Sequence, residues 1–228
     1  MEIQEVVNQC LLLAGLNTAE QEEVLVNGRL RQIAQGAYFF HQGEDADTLY
    51  VITAGRVKLS QVNESGSQVI VDYLGAGNGL GIIVALSNMA YPLSAEAVEA
   101  CEAVAWDRET MKALMMRNPR LAFNGLDMIA GRFVRLQERF NDMATRQVEQ
   151  RLARTLLRLV RQFGRRVEHG VLIDIPLSRQ NLAEMTGTNL YQISRILSKW
   201  EKAGLVSSRR QSIILCKAHE LVMIGEDL

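Results

Sequence analysis

Between Pro176 and Lys202 two short amphipathic stretches meet at a glycine, a spacing that few folds tolerate. Pro176 to Met185 predicts a short helix capped by Ser178, with Leu182, Ala183 and Met185 turned inward. Thr186-Gly187-Thr188 then supplies a tight turn. Asn189 opens a second helix, with Gln192 three residues later in capping-box register, and Ile193, Ile196, Leu197 and Trp200 form one apolar stripe. Two helices joined through a three- or four-residue glycine turn form the hairpin that sets its second helix into a DNA major groove.

The residues off that stripe carry the chemistry. Leu190, Tyr191, Gln192, Ser194 and Arg195 lie near the start of the second helix, with Ser198, Lys199 and Lys202 further along. A guanidinium bonds two acceptors of guanine, a carboxamide bonds adenine in the same way, and hydroxyls and ammonium groups suit phosphates. A solvated face on an ordinary helical hairpin is the competing reading. Against it, Gly204-Leu205-Val206, a basic stretch through Arg209 and Arg210, and Ile213-Ile214-Leu215 predict a β-hairpin wing directly after the second helix.

Charge points the same way. Residues 1 to 145 carry 11 Lys/Arg against 18 Asp/Glu, a balance of −7, and residues 146 to 228 carry 14 against 8, a balance of +6. The C-terminal third is therefore the part suited to a polyanion.

Upstream, short β-like runs at Tyr38-Phe39-Phe40, Leu49 to Thr53, Arg56 to Val62, Gln68 to Tyr73 and Ala97 to Trp106 are separated by Gly36, Gly43, Gly55, Gly66 and Gly75, which predicts an all-β roll or sandwich. One or two helices over Ile3 to Asn27 lead into it, with a helix start at Asn17-Thr18. After Asn118-Pro119 the period changes to helical. Ala122, Leu126, Ile129, Phe133, Leu136, Phe140 and Met143 recur at alternating steps of four and three, a heptad seam that predicts pairing with a partner helix; Leu126 to Met143 are the expected interface. Asp142 to Arg146 reads as a hinge. Val148 to Phe163 reads as a second amphipathic helix with Leu152, Leu156, Leu159, Val160 and Phe163 on one side, Arg151, Arg154, Arg158 and Arg161 on the other, and Gly164 as its cap.

Several classes are set aside. The longest apolar runs, Leu11 to Leu16 and Gly79 to Leu86, fall short of the ~20 residues that span a bilayer. The N-terminus lacks the basic start and apolar stretch of a secretory signal, so a cytoplasmic location is expected. Cys10, Cys101 and Cys216 fit neither a disulfide framework nor a zinc spacing. No paired carboxylates, nucleophile elbow, P-loop or metal cluster marks an enzyme, and no metal is expected.

Nearly the whole chain resembles the superfamily of the cyclic-AMP receptor protein and the fumarate-nitrate reductase regulator (CRP/FNR). The resemblance is carried by Gly36 to Glu44, Leu49 to Leu59, Pro92-Leu93-Ser94-Ala95-Glu96-Ala97, the heptad helix, and Leu177-Ser178-Arg179-Gln180 through Ser194-Arg195. It implies an α+β chain: a cyclic-nucleotide-binding-like β-roll sensing an effector (1–117), a coiled-coil dimerisation helix and hinge (118–145), and a winged helix-turn-helix (146–228). It implies a homodimer that binds a two-fold-symmetric operator in double-stranded DNA, recruits or blocks RNA polymerase, and answers a small-molecule effector. The expected DNA contacts are Ser178, Arg179, Thr188, Asn189, Tyr191, Gln192, Ser194, Arg195, Lys199, Arg209 and Arg210. The expected effector pocket comprises Gly79, Leu80, Gly81, Ile82, Leu93, Ser94, Phe133, Leu136 and Gln137.

The departures from the family pattern are informative. Cyclic-nucleotide-binding members carry a Gly-Glu and an Arg-Ser pair; here Ile82 follows Gly81 and Leu93 precedes Ser94. A cyclic phosphate would lose its counter-charge, at a cost of several kcal/mol in an apolar site, so tight cyclic-AMP binding is not expected. Leu136-Gln137 replaces the hydroxyls that hold adenine. Cluster-bearing members need four cysteines, mostly near the N-terminus, where only Cys10 lies, so no iron–sulfur cluster is expected. The cofactor is otherwise left open, haem included, since haem needs only an axial ligand such as His41, His169 or His219. Tyr191 takes the place of the usual recognition-helix glutamate, and a tyrosine meets a thymine methyl or a phosphate rather than cytosine N4. A regulatory module acting through protein contacts, or a haem-based gas sensor of the same family, are the alternatives.

Overall fold

The computed structural model describes residues 10–226, so Ile3 to Gln9 of the first expected helical segment lie outside the described residues. The chain divides into two units, Met1–Arg135 and Leu136–Leu228.

In the first unit a 3-10 turn, Leu11–Leu13, precedes helix α1, Thr18–Val26. Its start is a complete capping box: Asn17 Oδ1 accepts from Glu20 N at 3.0 Å, and Glu20 Oε2 accepts from Asn17 N at 2.8 Å. Eight strands follow: β1 (Arg29–Ile33), β2 (Tyr38–Phe40), β3 (Thr48–Ala54), β4 (Val57–Val62), β5 (Gln68–Leu74), β6 (Gly79–Leu80), β7 (Ser94–Ala97) and β8 (Cys101–Asp107), with the one-turn helix α2 (Ile83–Leu86) between β6 and β7. They form two antiparallel four-stranded sheets, β1-β8-β3-β6 and β2-β7-β4-β5. The period-2 alternation of β8 builds two cores at once. Cys101 and Ala103 join Phe39, Phe40, Ile52, Val57, Leu59, Leu74 and Ala95 between the sheets. Val104 and Trp106 point the other way, onto Leu12, Leu13 and Val24 and onto Met111 and Leu114 of helix α3 (Arg108–Arg117). Trp106 Nε1 donates to the Val24 carbonyl at 2.7 Å, which satisfies its one polar atom inside that core.

The run expected as one strand from Ala97 to Trp106 is two strands in different sheets, broken at Val98–Ala100. β1 and α3 were not anticipated: Arg29-Leu30-Arg31-Gln32-Ile33 forms a mostly exposed edge strand without an alternating pattern, and Met111, Leu114 and Met115 give α3 only one narrow buried stripe.

Pro119–Thr145 is one uninterrupted helix, α4. Within the first unit Leu121, Asn124 and Met128 face inward, and Asn124 Nδ2 donates to the carbonyls of Leu12 and Ala14 at 2.8 and 2.9 Å. The stretch read as a hinge from Asp142 is helical through Thr145; the break falls at Arg146–Gln147.

In the second unit α5 (Val148–Phe163) buries Leu152, Ala153, Thr155, Leu156 and Leu159. Gly164 is the C-cap of α5, as the sequence predicts, and takes an extended conformation, φ −74°, because the chain passes directly into a strand. That strand, β9 (Gly164–Val167), and β10 (Gly170–Ile173) were not expected; they join β11 (Val206–Arg209) and β12 (Ser212–Leu215) in a sheet ordered β11-β12-β10-β9. Helices α6 (Arg179–Thr186), α7 (Leu190–Lys202) and α8 (Ala218–Glu226) complete it.

Candidate nucleic-acid interface and effector site

The hairpin of α6 and α7 is fixed by caps at every joint. Ser178 Oγ accepts from Asn181 N at 3.0 Å, and Asn181 Oδ1 accepts from Ser178 N at 2.9 Å and from the Ser178 hydroxyl at 2.7 Å. Gly187 stands at φ +61°, where a side chain is unfavourable, and turns the chain out of α6. Asn189 Oδ1 accepts from Gln192 N at 2.9 Å to start α7. The stripe Ile193, Ile196, Leu197 and Trp200 is buried as the spacing predicts; in α6 Thr186, not Met185, completes the buried face with Leu182 and Ala183.

What α7 leaves outward is Leu190, Tyr191 and Arg195, all exposed, with Gln192 and Ser194 half-buried beside them. The wing places exposed Arg209 and Arg210 at the β11–β12 turn, where Gln211 has φ +59° and its carbonyl accepts from Leu177 N at 3.2 Å. Four of the expected contact residues are engaged inside the domain. The Ser178 hydroxyl serves the α6 cap. Arg179 Nη2 donates to Ser208 Oγ at 3.2 Å and lies 3.6 Å from Glu201 Oε2, while Glu201 Oε1 accepts from Ser208 N at 3.0 Å, so this network ties the wing to the hairpin. Lys199 Nζ donates to Glu149 Oε1 at 2.9 Å, and the same oxygen accepts from Trp200 Nε1 at 2.9 Å. Thr188 is half-buried and Asn189 exposed, its Oδ1 used in the cap.

The last turn of α4 meets the hairpin, which its polar composition concealed. Asp142, 6% exposed, lies 2.9 Å from Arg154 Nε and 3.4 Å from Arg158 Nη1. Arg151 donates to the carbonyls of Thr186 and Arg146, each at 2.9 Å. The Met143 side chain fills the space that a Cβ at Gly187 would need, 2.3 Å from its Cε. Arg151, Arg154 and Arg158 therefore brace the domain instead of riding a solvated face.

On α4 the seam Leu126, Ile129, Phe133, Leu136, Phe140 and Met143 is exposed, from 37% at Ile129 to 74% at Phe140. Phe123 and Val134, outside the expected seam, are exposed as well.

Of the expected effector residues, Gly79 to Ile82 lie on β6 and its flank, Leu93 and Ser94 at the start of β7 in the other sheet, and Phe133, Leu136 and Gln137 on α4. Leu80 is buried between the sheets and Ile82 in the helix-side core, so both serve packing. Gly79 and Gly81 are buried; Gly81 has φ +66° and a Cβ there would lie 2.7 Å from the Thr48 carbonyl. Leu93 packs partly buried, Ser94 Oγ accepts from Gln42 N at 2.9 Å, and Phe133, Leu136 and Gln137 are exposed. A residue that sequence reasoning missed stands here: Arg132 of α4 donates to the Gly79 carbonyl. Burial, then the charge of Arg135, press its pKa below the usual arginine value, and the carboxylate of Asp72 opposes them. A guanidinium of the long helix thus stands beside β6. Its signal was a polar residue one step off the heptad seam.

A β-roll, a long helix and a hairpin with a wing follow one another along the chain, and the hairpin with its wing is the layout of a DNA-binding domain. Residues 30–118 match the cyclic nucleotide-binding domain model and residues 150–224 the Crp-like helix-turn-helix domain model. The chain is 27% identical over 187 residues to the global nitrogen regulator of Synechococcus elongatus, covering 81% of this chain and 84% of the relative. It is 29% identical over 177 residues to the cAMP-activated global transcriptional regulator CRP of Salmonella typhimurium, covering 77% and 83%. Among solved structures, the c-di-GMP responsive global regulator CLP of Xanthomonas campestris superposes with a TM-score of 0.78 at 21% identity, over 87% of this chain and 99% of that one. The chain belongs to the CRP/FNR family of DNA-binding transcription regulators, which are not enzymes. No helix among the described residues is long and apolar enough to cross a membrane.

Proposed function

We propose that this chain works in the cytoplasm as a homodimer that binds a two-fold-symmetric operator through the exposed face of α7, recruits or blocks RNA polymerase, and has its operator affinity set by an effector sensed in the β-roll. The observation that carries the reading is the outward face of α7, where Tyr191, Gln192, Ser194 and Arg195 stand clear of the buried stripe. Arg195 suits guanine in bidentate fashion, and Arg209 and Arg210 of the wing suit phosphates. The exposed seam of α4 supports pairing with a second copy, which would present two such faces to one duplex.

Cyclic AMP is not the effector in this reading, because Ile82 and Leu93 leave its ribose and phosphate without the family's partners. Arg132 is the cation of the site, and an effector acting through it has to replace the Gly79 carbonyl as acceptor. A calorimetric titration that shows micromolar cyclic-AMP binding would overturn this part.

The DNA reading is tested on duplexes selected from a randomised library. Wild-type affinity should fall steeply with salt. Arg195→Ala should bring the affinities for selected and random duplex together, while Arg210→Ala should weaken both alike and make the salt slope shallower by about one. Salt-insensitive binding, or equal losses on both duplexes for both variants, would refute it and favour a module acting through protein contacts.

A further inference from the structure

We propose that Leu190, flanked by Tyr191, reads the C5-methyl group of a thymine in the major groove, which makes it a specificity-determining residue of this chain; the inference rests on the DNA-binding reading above. From residue 146 onward, the large apolar residues left exposed among the described residues are Leu190 (47%), Tyr191 (74%) and Met223 (37%). Two of the three are adjacent and occupy the first turn of α7. With ~100° between successive residues of a helix, Leu190, Ser194, Ser198, Tyr191 and Arg195 fall within one sector of about 140°, and the buried Ile196, Trp200, Ile193 and Leu197 within another of about 100°, with Leu190 at the border of the two, about 20° from Leu197. Tyr191 therefore shares its face with Arg195, and Leu190, 47% exposed, stands at the edge of that face beside the buried stripe.

A leucine held half in water at the start of a helix is unfavourable for the protein alone, and Asn189 already caps that helix without it. Bound DNA offers one apolar feature on the major-groove edge, the thymine methyl; the other groups there are hydrogen-bond donors and acceptors, which leucine cannot meet. The positive balance of residues 146 to 228 and the exposed Arg195 on the same helix fit a nucleic-acid partner better than an apolar protein groove.

The experiment uses the full chain and duplexes selected by it from a randomised library. Each thymine of the selected half-site is replaced in turn by deoxyuridine, which pairs identically and lacks only the methyl group. At one position per half-site, wild-type affinity should fall about fourfold, and about fifteenfold when both half-sites are changed, the worth of one buried methyl group each. Leu190→Ala should bind the thymine and uracil duplexes equally; its far-UV circular dichroism and its binding to random duplex at low salt confirm the fold. If a consensus is selected but no uracil substitution matters, or if the loss persists undiminished in Leu190→Ala, the inference is overturned and the DNA reading stands. If no consensus emerges and duplex binding does not depend on salt, the DNA reading fails, and this inference with it.

Discussion

Truncating Phe140 to alanine should separate the dimer while leaving each protomer folded. The ring is 74% exposed on α4, so its removal opens no hole within the protomer. Full burial of a phenylalanine stabilises by about 2–3 kcal/mol, and three quarters of that is newly buried when two seams meet. Two-fold symmetry counts the residue twice, and alanine keeps its Cβ, which leaves a loss of about 3 kcal/mol, or roughly 100-fold in the dimer dissociation constant. Sedimentation velocity over a concentration series measures this directly, with Glu138→Ala, exposed on the side of α4 away from the seam, as the comparison. A Phe140→Ala dissociation constant within threefold of wild type, or an equal shift in Glu138→Ala, would show that the seam does not pair.

Two further outcomes follow from the interior. Asp142→Asn removes the carboxylate shared by Arg154 and Arg158, whose side chains are about a quarter exposed (27% and 25%), so the loss should fall between that of a surface pair and a buried one, about 2 kcal/mol, read as a lower denaturant midpoint; an unchanged midpoint would refute the bracing role. Burial raises the Cys101 thiol to about 11 and the Tyr91 hydroxyl to about 12. Both groups are neutral in the folded state at pH values where the unfolded chain already ionises, so stability should be level below about pH 9 and decline from there through about pH 12, and a melting midpoint that holds steady through that window would contradict it.

Much of this architecture was legible because local chemistry and tertiary structure agree. Gly187, Asn189 and the stripe from Ile193 to Trp200 announce the hairpin, and Asn17 with Glu20 announces α1. The failures share a cause: charged residues whose partners lie far away in sequence. Asp142 sits in a polar stretch that looks like a hinge until Arg154 and Arg158 surround it. Lys199 and Arg179, expected among the DNA contacts, have Glu149 and Glu201 beside them, partners the sequence does not announce. Arg132 has the composition of a solvated helix face, and only the fold of β6 beneath it supplies the Gly79 carbonyl. The strands β9 and β10 escaped because Gly164 to Ile173 is too short and too basic to show a period.

The turn at Gly187 carries a consequence for how sequences of this kind can vary. The demand on this position is a left-handed backbone, which asparagine also accepts; the Met143 Cε and Sδ beside it are the far end of a flexible, half-exposed side chain that can move aside for a Cβ. Relatives should therefore carry glycine or asparagine at the equivalent of 187, whatever stands at the equivalent of 143.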